Sequence, residues 1–248
     1  MGWIDFALIV LTGVAAGFIN TIAGGGSLIS LPVLIFMGLP PAMANASNRV
    51  AIFLQNVSAV SGFKSKGISE CPYSMYLGIS ALFGAVIGAK IAVDIEGILF
   101  NRVLAIIMVV VIFITIFKKQ RDAFIRFENV GKRRFITIFV FFLVGIYGGF
   151  IQAGVGFIII AILTQYAGFN LVRTNSIKVF VVLVYTLAAL AVFLIEDQIN
   201  WKYGLTLAAG NATGAWVASR WSVKWGEKII KPVLLLAVIG MAIKLWFV

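Results

Sequence analysis

The sequence predicts an all-α, polytopic membrane protein made of two inverted repeats of five apolar segments each, and three observations carry that prediction. Of the 248 residues 62% are apolar and the mean hydropathy is +1.08, far above the roughly 45–50% apolar content of soluble domains. The apolar residues fall into ten runs with short polar connections, so no large aqueous domain has room to exist. A glycine-rich break, Asn20-Thr21-Ile22-Ala23-Gly24-Gly25-Gly26-Ser27, interrupts the first runs and is echoed by Gln152-Ala153-Gly154-Val155-Gly156 in the second half. Lipid cannot hydrogen-bond the peptide groups that such a run leaves unpaired, so the break must be buried in protein or line a cavity.

The runs lie at about 4–23, 27–38, 43–63, 73–94, 98–117, 135–153, 156–168, 172–195, 201–222 and 229–247. The first lacks a basic start and is too long for a signal-peptide core, so it is expected to remain part of the fold. Eight runs are long enough to span. The second and seventh are not, because at ~1.5 Å per residue each falls short of a ~30 Å hydrocarbon core. They are expected to be half-helices or re-entrant pieces. Pro32 removes a further internal bond from the second, and Thr164 stands in the corresponding place of the seventh.

The ten runs divide into two sets of five. Gly17-Phe18 pairs with Gly149-Phe150, Gly24-x-Gly26 with Gly154-x-Gly156, and Gly38 with Gly168. Ser47-Asn48-Arg49-Val50 matches Ser176-Ile177-Lys178-Val179, and Gly84-x-x-x-Gly88-Ala89 matches Gly210-x-x-x-Gly214-Ala215. This gives a first repeat at 1–117, a basic linker at 118–134 and a second repeat at 135–248.

Charge sets the parity. An odd number of crossings per half makes the repeats inverted and puts both termini outside. Then Lys64, Lys66, the seven basic residues from Lys118 to Arg134, Arg173, Arg220, Lys224, Lys228 and Lys231 all lie on the cytoplasmic side, fourteen of the twenty Lys and Arg. That distribution satisfies the positive-inside rule, which a parallel arrangement violates in the loop from Arg220 to Lys231. The net charge of +11 is therefore a sign of topology, and no nucleic-acid partner is implied. With one cysteine and no histidine, neither an intrachain disulfide nor a Cys/His metal site is available, and no cofactor is expected.

Inverted repeats with broken helices place a transport site near the midplane, where the halves meet. The chemistry at the breaks favours an anion. A helix starting at Ser27, itself expected as the N-cap, presents unpaired N–H groups and the positive end of its dipole, and the glycines admit a ligand to them. The third run of each half adds Asn45, Ser47, Asn48 and Arg49, then Gln55 and Asn56, against Asn175, Ser176 and Lys178. Polar groups this dense are costly in an apolar helix unless they face a cavity or each other. The Arg49 fork suits a bidentate oxyanion and Lys178 supplies a compact charge. The candidate substrate-binding set is Asn20, Gly24, Gly25, Gly26, Ser27, Asn45, Ser47, Asn48, Arg49, Gln152, Gly154, Gly156, Asn175, Ser176 and Lys178. Two blander readings stay open: the breaks are hinges for tight helix packing, and the two cations snorkel to the nearest interface. Lys90 is left out, because the Gly84-to-Gly88 motif beside it more often marks helix packing.

The run from Gly17 to Pro32, followed by Gly38-Leu39-Pro40-Pro41 and Ala46-Ser47-Asn48-Arg49, resembles the TauE/SafE family of membrane transporters. The similarity extends nearly end to end. It implies a multipass plasma-membrane protein, the inner membrane of a bacterium, that exports small sulfur oxyanions or organosulfonates such as sulfite or sulfoacetate. Asn20 departs from the acidic residue that many relatives carry there, and the second break has fewer glycines and no proline.

The expected mechanism is electrogenic anion translocation by alternating access. Asp5, Asp94, Glu96, Glu196 and Asp197 all sit near segment ends, so no midplane acid offers itself for proton coupling. A non-transporting membrane scaffold and a carrier of another small solute are the rival readings. A membrane enzyme lacks any nucleophile–base pair at useful spacing. Transport direction, coupling ion and oligomeric state, a homo-oligomer included, stay open.

Overall fold

The computed structural model describes residues 2–69, 71–117, 132–221, 239 and 241–245, with side chains described outside 111–117 and 132–134. Most of the basic linker, Lys224, Lys228 and Lys231, and most of the tenth apolar run therefore lie outside the described residues.

Every element of the described chain is helical: α1 Trp3–Ile22, α2 Ser27–Phe36, α3 Pro41–Lys64, α4 Tyr73–Asp94, α5 Gly97–Phe117, α6 Lys132–Phe150, α7 Val155–Ala161 with a π-helical turn at Ile162–Tyr166, α8 Leu171–Ile195 and α9 Trp201–Trp221. The expected runs match these bounds within a few residues. Both short runs are short helices, α2 having 10 residues and α7 seven before its π turn. At ~1.5 Å per residue α2 is ~15 Å long, half of a hydrocarbon core. Pro32 sits inside α2, and Thr164 in the π turn bonds back to the Ile160 carbonyl at 2.6 Å. Each half thus has an irregular short helix, by different chemistry.

Among the described residues, three helices, α1, α4 and α8, combine the length and the apolarity of a membrane crossing. Eight runs were expected to do so. Among the described residues, α3 and α9 are long enough but carry buried Asn, Gln, Ser and Arg in place of apolar residues, while α5 and α6 have 21 and 19 residues but side chains described only over Gly97–Val110 and Phe135–Phe150, and most of the tenth run lies outside the described residues. Trp3, Phe6, Leu11, Phe83, Ile87, Ile91, Phe139 and Leu205 project from the outer faces, an apolar exterior suited to lipid.

Packing interleaves the two halves of the sequence. Helix α1 lies along α9 and α6 lies along α4; α3 packs on α9 as α8 packs on α4, and α3 meets α8 between them. One core joins α1, α2, α5 and α9, through Ile9, Leu28, Leu31, Phe100, Leu104 and Leu207. A second joins α4, α6, α7 and α8, through Leu77, Ala81, Phe141, Ile159, Val181 and Tyr185. Two glycine seams make the long contacts possible. A methyl group on Gly84 or Gly88 would overlap the carbonyl of Phe142 or Ile146 on α6, and one on Gly210 or Gly214 the carbonyl of Val10 or Val14 on α1. The repeated Gly-x-x-x-Gly motifs are packing motifs, as the sequence implied.

Candidate functional site

Each break is a four-residue interruption, Ala23 to Gly26 after α1 and Ile151 to Gly154 after α6. The helix ends are alike. The amides of Ala23 and Gly24 both return to the Ile19 carbonyl, and those of Ile151 and Gln152 both return to Tyr147. Gly24 has φ +86° and Gln152 φ +64°, the left-handed conformation that turns a chain out of a helix. Structurally, therefore, Gln152 stands in the place of Gly24, two residues from the sequence pairing of Gly24 with Gly154. The breaks touch: a methyl group on Gly24 would overlap the Gly156 backbone, and one on Gly156 the Gly24 backbone.

The last carbonyls of a helix carry partial negative charge and lack intrahelical donors. Here each set is capped by a cation from the other half. Arg49 on α3 donates through Nη1 to the Gly148 carbonyl and to Gln152 Oε1, and through Nη2 to the Gly149 carbonyl at 2.9 Å and Asn45 Oδ1 at 3.3 Å. Asn45 completes the cap by donating to the Phe150 carbonyl at 2.8 Å. Reciprocally, Lys178 Nζ on α8 donates to the Asn20 and Thr21 carbonyls and to Asn175 Oδ1, each at 2.9 Å. Asn175 donates to the Ile22 carbonyl at 3.0 Å. Arg49 is 0% exposed and Lys178 2%, so neither snorkels to an interface. Phe193 lies under the guanidinium at 5.7 Å. Among the described residues no carboxylate is buried beside them.

The other candidates divide. Around the first break, Asn20 Nδ2 donates to Gln55 Oε1 at 3.2 Å and Ser30 Oγ donates to Asn48 Oδ1 at 2.8 Å. Gly26 packs against Asn20 and the Ala16 carbonyl, with no room for a side chain. Gly25, Gly26 and Ser27 are buried, and their amides have no hydrogen-bond partner among the described residues. Ser27 is not the N-cap. Gly26 holds that position with helical φ −59° and ψ −36°, and no side chain caps α2; the helix does start at Ser27, as the sequence implied, with the serine as its first helical residue. Gly154 is the cap residue of α7 and Gly156 meets Gly24. Ser47 lies apart: its hydroxyl accepts the Asn200 amide at 2.9 Å and anchors the start of α9. Ser176 is buried on α8.

Two residues outside the candidate set join the cluster. Gln55, noted in the sequence as polar but not placed in the site, accepts from both Asn20 and Asn211; Asn211 Nδ2 reaches Gln55 Oε1 at 3.3 Å. An asparagine inside an otherwise small and apolar packing motif was the signal for Asn211. Besides the acceptor Asn211 Oδ1, four buried polar groups of this cluster have no hydrogen-bond partner: Asn48 Nδ2, Gln55 Nε2, Arg49 Nε and Gln152 Nε2. All four are donors. Such groups are costly unless satisfied, so donors gathered at a positively charged junction fit an acceptor-rich anion. No group of metal-ligating side chains occurs among the described residues.

The sequence model of the family described as "Sulfite exporter TauE/SafE" matches residues 9–245. The chain belongs to that family. It is 28% identical to a "Probable membrane transporter protein ORF9" of Sinorhizobium sp., over 96% of this chain and 91% of that one. A "Probable membrane transporter protein" of Haemophilus influenzae is also 28% identical, over 97% and 96%. The "Probable membrane transporter protein YfcA" of Escherichia coli K12 is 24% identical, over 94% and 86%. No solved structure matches. As a TauE/SafE member the chain is a multipass membrane protein of a transporter family, and both glycine breaks and both capping cations lie inside the matched region.

Proposed function

We propose that this chain exports a small sulfur-containing anion, sulfite or an organosulfonate such as sulfoacetate, across the plasma membrane by alternating access. The observation that carries the reading is the junction of the two breaks: two buried cations, four unpartnered donors and no buried carboxylate among the described residues. The family description and the relatives' names support transport of this kind.

The anion's direct ligands are the amides of Gly25, Gly26 and Ser27 with the side chains of Asn20, Asn48 and Gln55; Gln152, Gly154 and Gly156 face them from the second break. Arg49 with Asn45, and Lys178 with Asn175, act chiefly by holding the helix ends and by their field, since their N–H groups are engaged with carbonyl oxygens. The halves 1–117 and 135–248 are inverted repeats, and the reciprocal capping of each break by the other half supports this. The linker at 118–134 is cytoplasmic and both termini are outside. With the cell interior negative, export of one negative charge is favoured by roughly 2.3 kcal/mol per 100 mV, so no carboxylate is required to drive it.

The test is radiolabelled sulfite flux in proteoliposomes of the purified chain under an imposed potential. Saturable flux that reverses with the sign of the potential is expected. Its absence for sulfite and for every sulfonate tried would favour the scaffold reading.

A further inference from the structure

We propose that the amide cluster Asn20, Gln55 and Asn211 reads a hydrogen-bond donor on the transported anion, so that the preferred substrate keeps one O–H or N–H group. This rests on the anion reading above and narrows it. A carboxamide oxygen only accepts and its nitrogen only donates. Gln55 Oε1 accepts from Asn20 Nδ2 at 3.2 Å and from Asn211 Nδ2 at 3.3 Å. With Gln55 Oε1 shared by these two N–H donors, the opposite atoms of Gln55 and Asn211 point away from the shared contact. Gln55 presents Nε2 on its far side, and Asn211 presents Oδ1.

Both of those atoms are buried and without a partner, in residues each 1% exposed. Gln55 Nε2 and the equally unpartnered Asn48 Nδ2 suit anionic oxygens. Asn211 Oδ1 does not, since it would repel a negatively charged oxygen and can be satisfied only by a donor. Two donors and one acceptor complement an oxyanion that retains a proton: hydrogensulfite in preference to the sulfite dianion, or a hydroxyl- or amino-bearing sulfonate in preference to a plain alkyl one.

The glycine seam places this acceptor. A side chain on Gly17 would overlap the backbone of Asn211. With glycine there, α9 approaches α1 closely enough for Asn211 to lie beside Asn20, one turn further along the same face. Asn211 comes from the second half of the sequence, so the cluster exists only because α9 packs among the helices of the first half.

The experiment compares two sulfonates of nearly equal shape, 2-hydroxyethanesulfonate and propane-1-sulfonate, in proteoliposomes of the full chain. The wild type is expected to show a KM about tenfold lower for the hydroxyl-bearing anion, the value of one net hydrogen bond. Asn211→Leu is expected to bring the ratio near one, whereas Asn48→Leu raises both KM values and keeps the ratio. Equal KM values in the wild type overturn the inference and leave the anion reading intact, and this comparison decides even if Asn211→Leu fails to fold. A KM ratio unchanged by Asn211→Leu also overturns it. Absence of saturable flux for any sulfur anion overturns the anion reading itself.

Discussion

Arg49 and Lys178 illustrate why a buried cation need not be a ligand. Guanidinium and ammonium groups out of water must find acceptors, and the nearest here are the orphan carbonyls at the ends of α6 and α1. The two sites differ in geometry. Arg49 spreads two nitrogens over four acceptors on α3, α6 and the second break, and Lys178 places one nitrogen among three. Arg49→Lys is thus expected to leave at least one buried acceptor unpaired and to lower sulfite flux by about tenfold, since such an acceptor costs about 1–3 kcal/mol. Arg49→Gln and Lys178→Gln, which remove a charge as well, should reduce it further. Flux unchanged in both Gln variants would remove the cations from the mechanism. The sequence showed these residues and their pairing, because polar residues in apolar runs stand out. It could not show what they bind, because partners roughly a hundred or more positions away are fixed by packing alone.

At the scale of elements, the breaks depend on backbone geometry that only particular residues tolerate. Gly24 combines φ +86° with direct contact against Gly156, whereas Gly38 has φ +91° with nothing within 4 Å of an added methyl group. Replacing Gly38 by Ala should cost about 1 kcal/mol of backbone strain. Gly24→Ala adds an overlap with the other break that no side-chain motion relieves, so its thermal midpoint in detergent should fall well below that of Gly38→Ala. Similar midpoints would mean that the breaks separate readily. Helix bounds, the short second and seventh elements and the packing role of Gly84, Gly88, Gly210 and Gly214 were legible in the sequence, because each is a local or periodic property. The N-cap of α2 at Gly26 instead of Ser27 and the alignment of Gln152 with Gly24 were not. Both turn on a dihedral choice that glycine leaves open and the surrounding structure makes.

For the whole molecule, the exchange of α4 and α9 between the halves means that the natural rigid bodies are the two interleaved bundles. Within them some positions lie close enough for a disulfide: an added Cβ on Gly78 would stand 3.1 Å from Val184 Cβ, and one on Gly204 3.3 Å from Val50 Cβ. These are near the Cβ separations a disulfide adopts. In a Cys71→Ser background, the pairs Gly78→Cys with Val184→Cys and Gly204→Cys with Val50→Cys are each expected to form and to retain most of the flux. Loss of flux on oxidation of either pair, restored by reductant, would show that the bundle itself must flex.

The sequence by itself determined that this is a helical membrane protein, where its helices lie, that a polar glycine break occurs in each half, and, through a motif running nearly end to end, its family. All of these are written in composition, periodicity and local pattern. Tertiary structure alone decided that each break is capped by a cation from the other half, that Gln55 and Asn211 join Asn20, and that α4 and α9 change places. Those are contacts between residues far apart in the chain. They follow from which glycine seams allow which backbones to meet, a property of pairs of helices that no single segment carries.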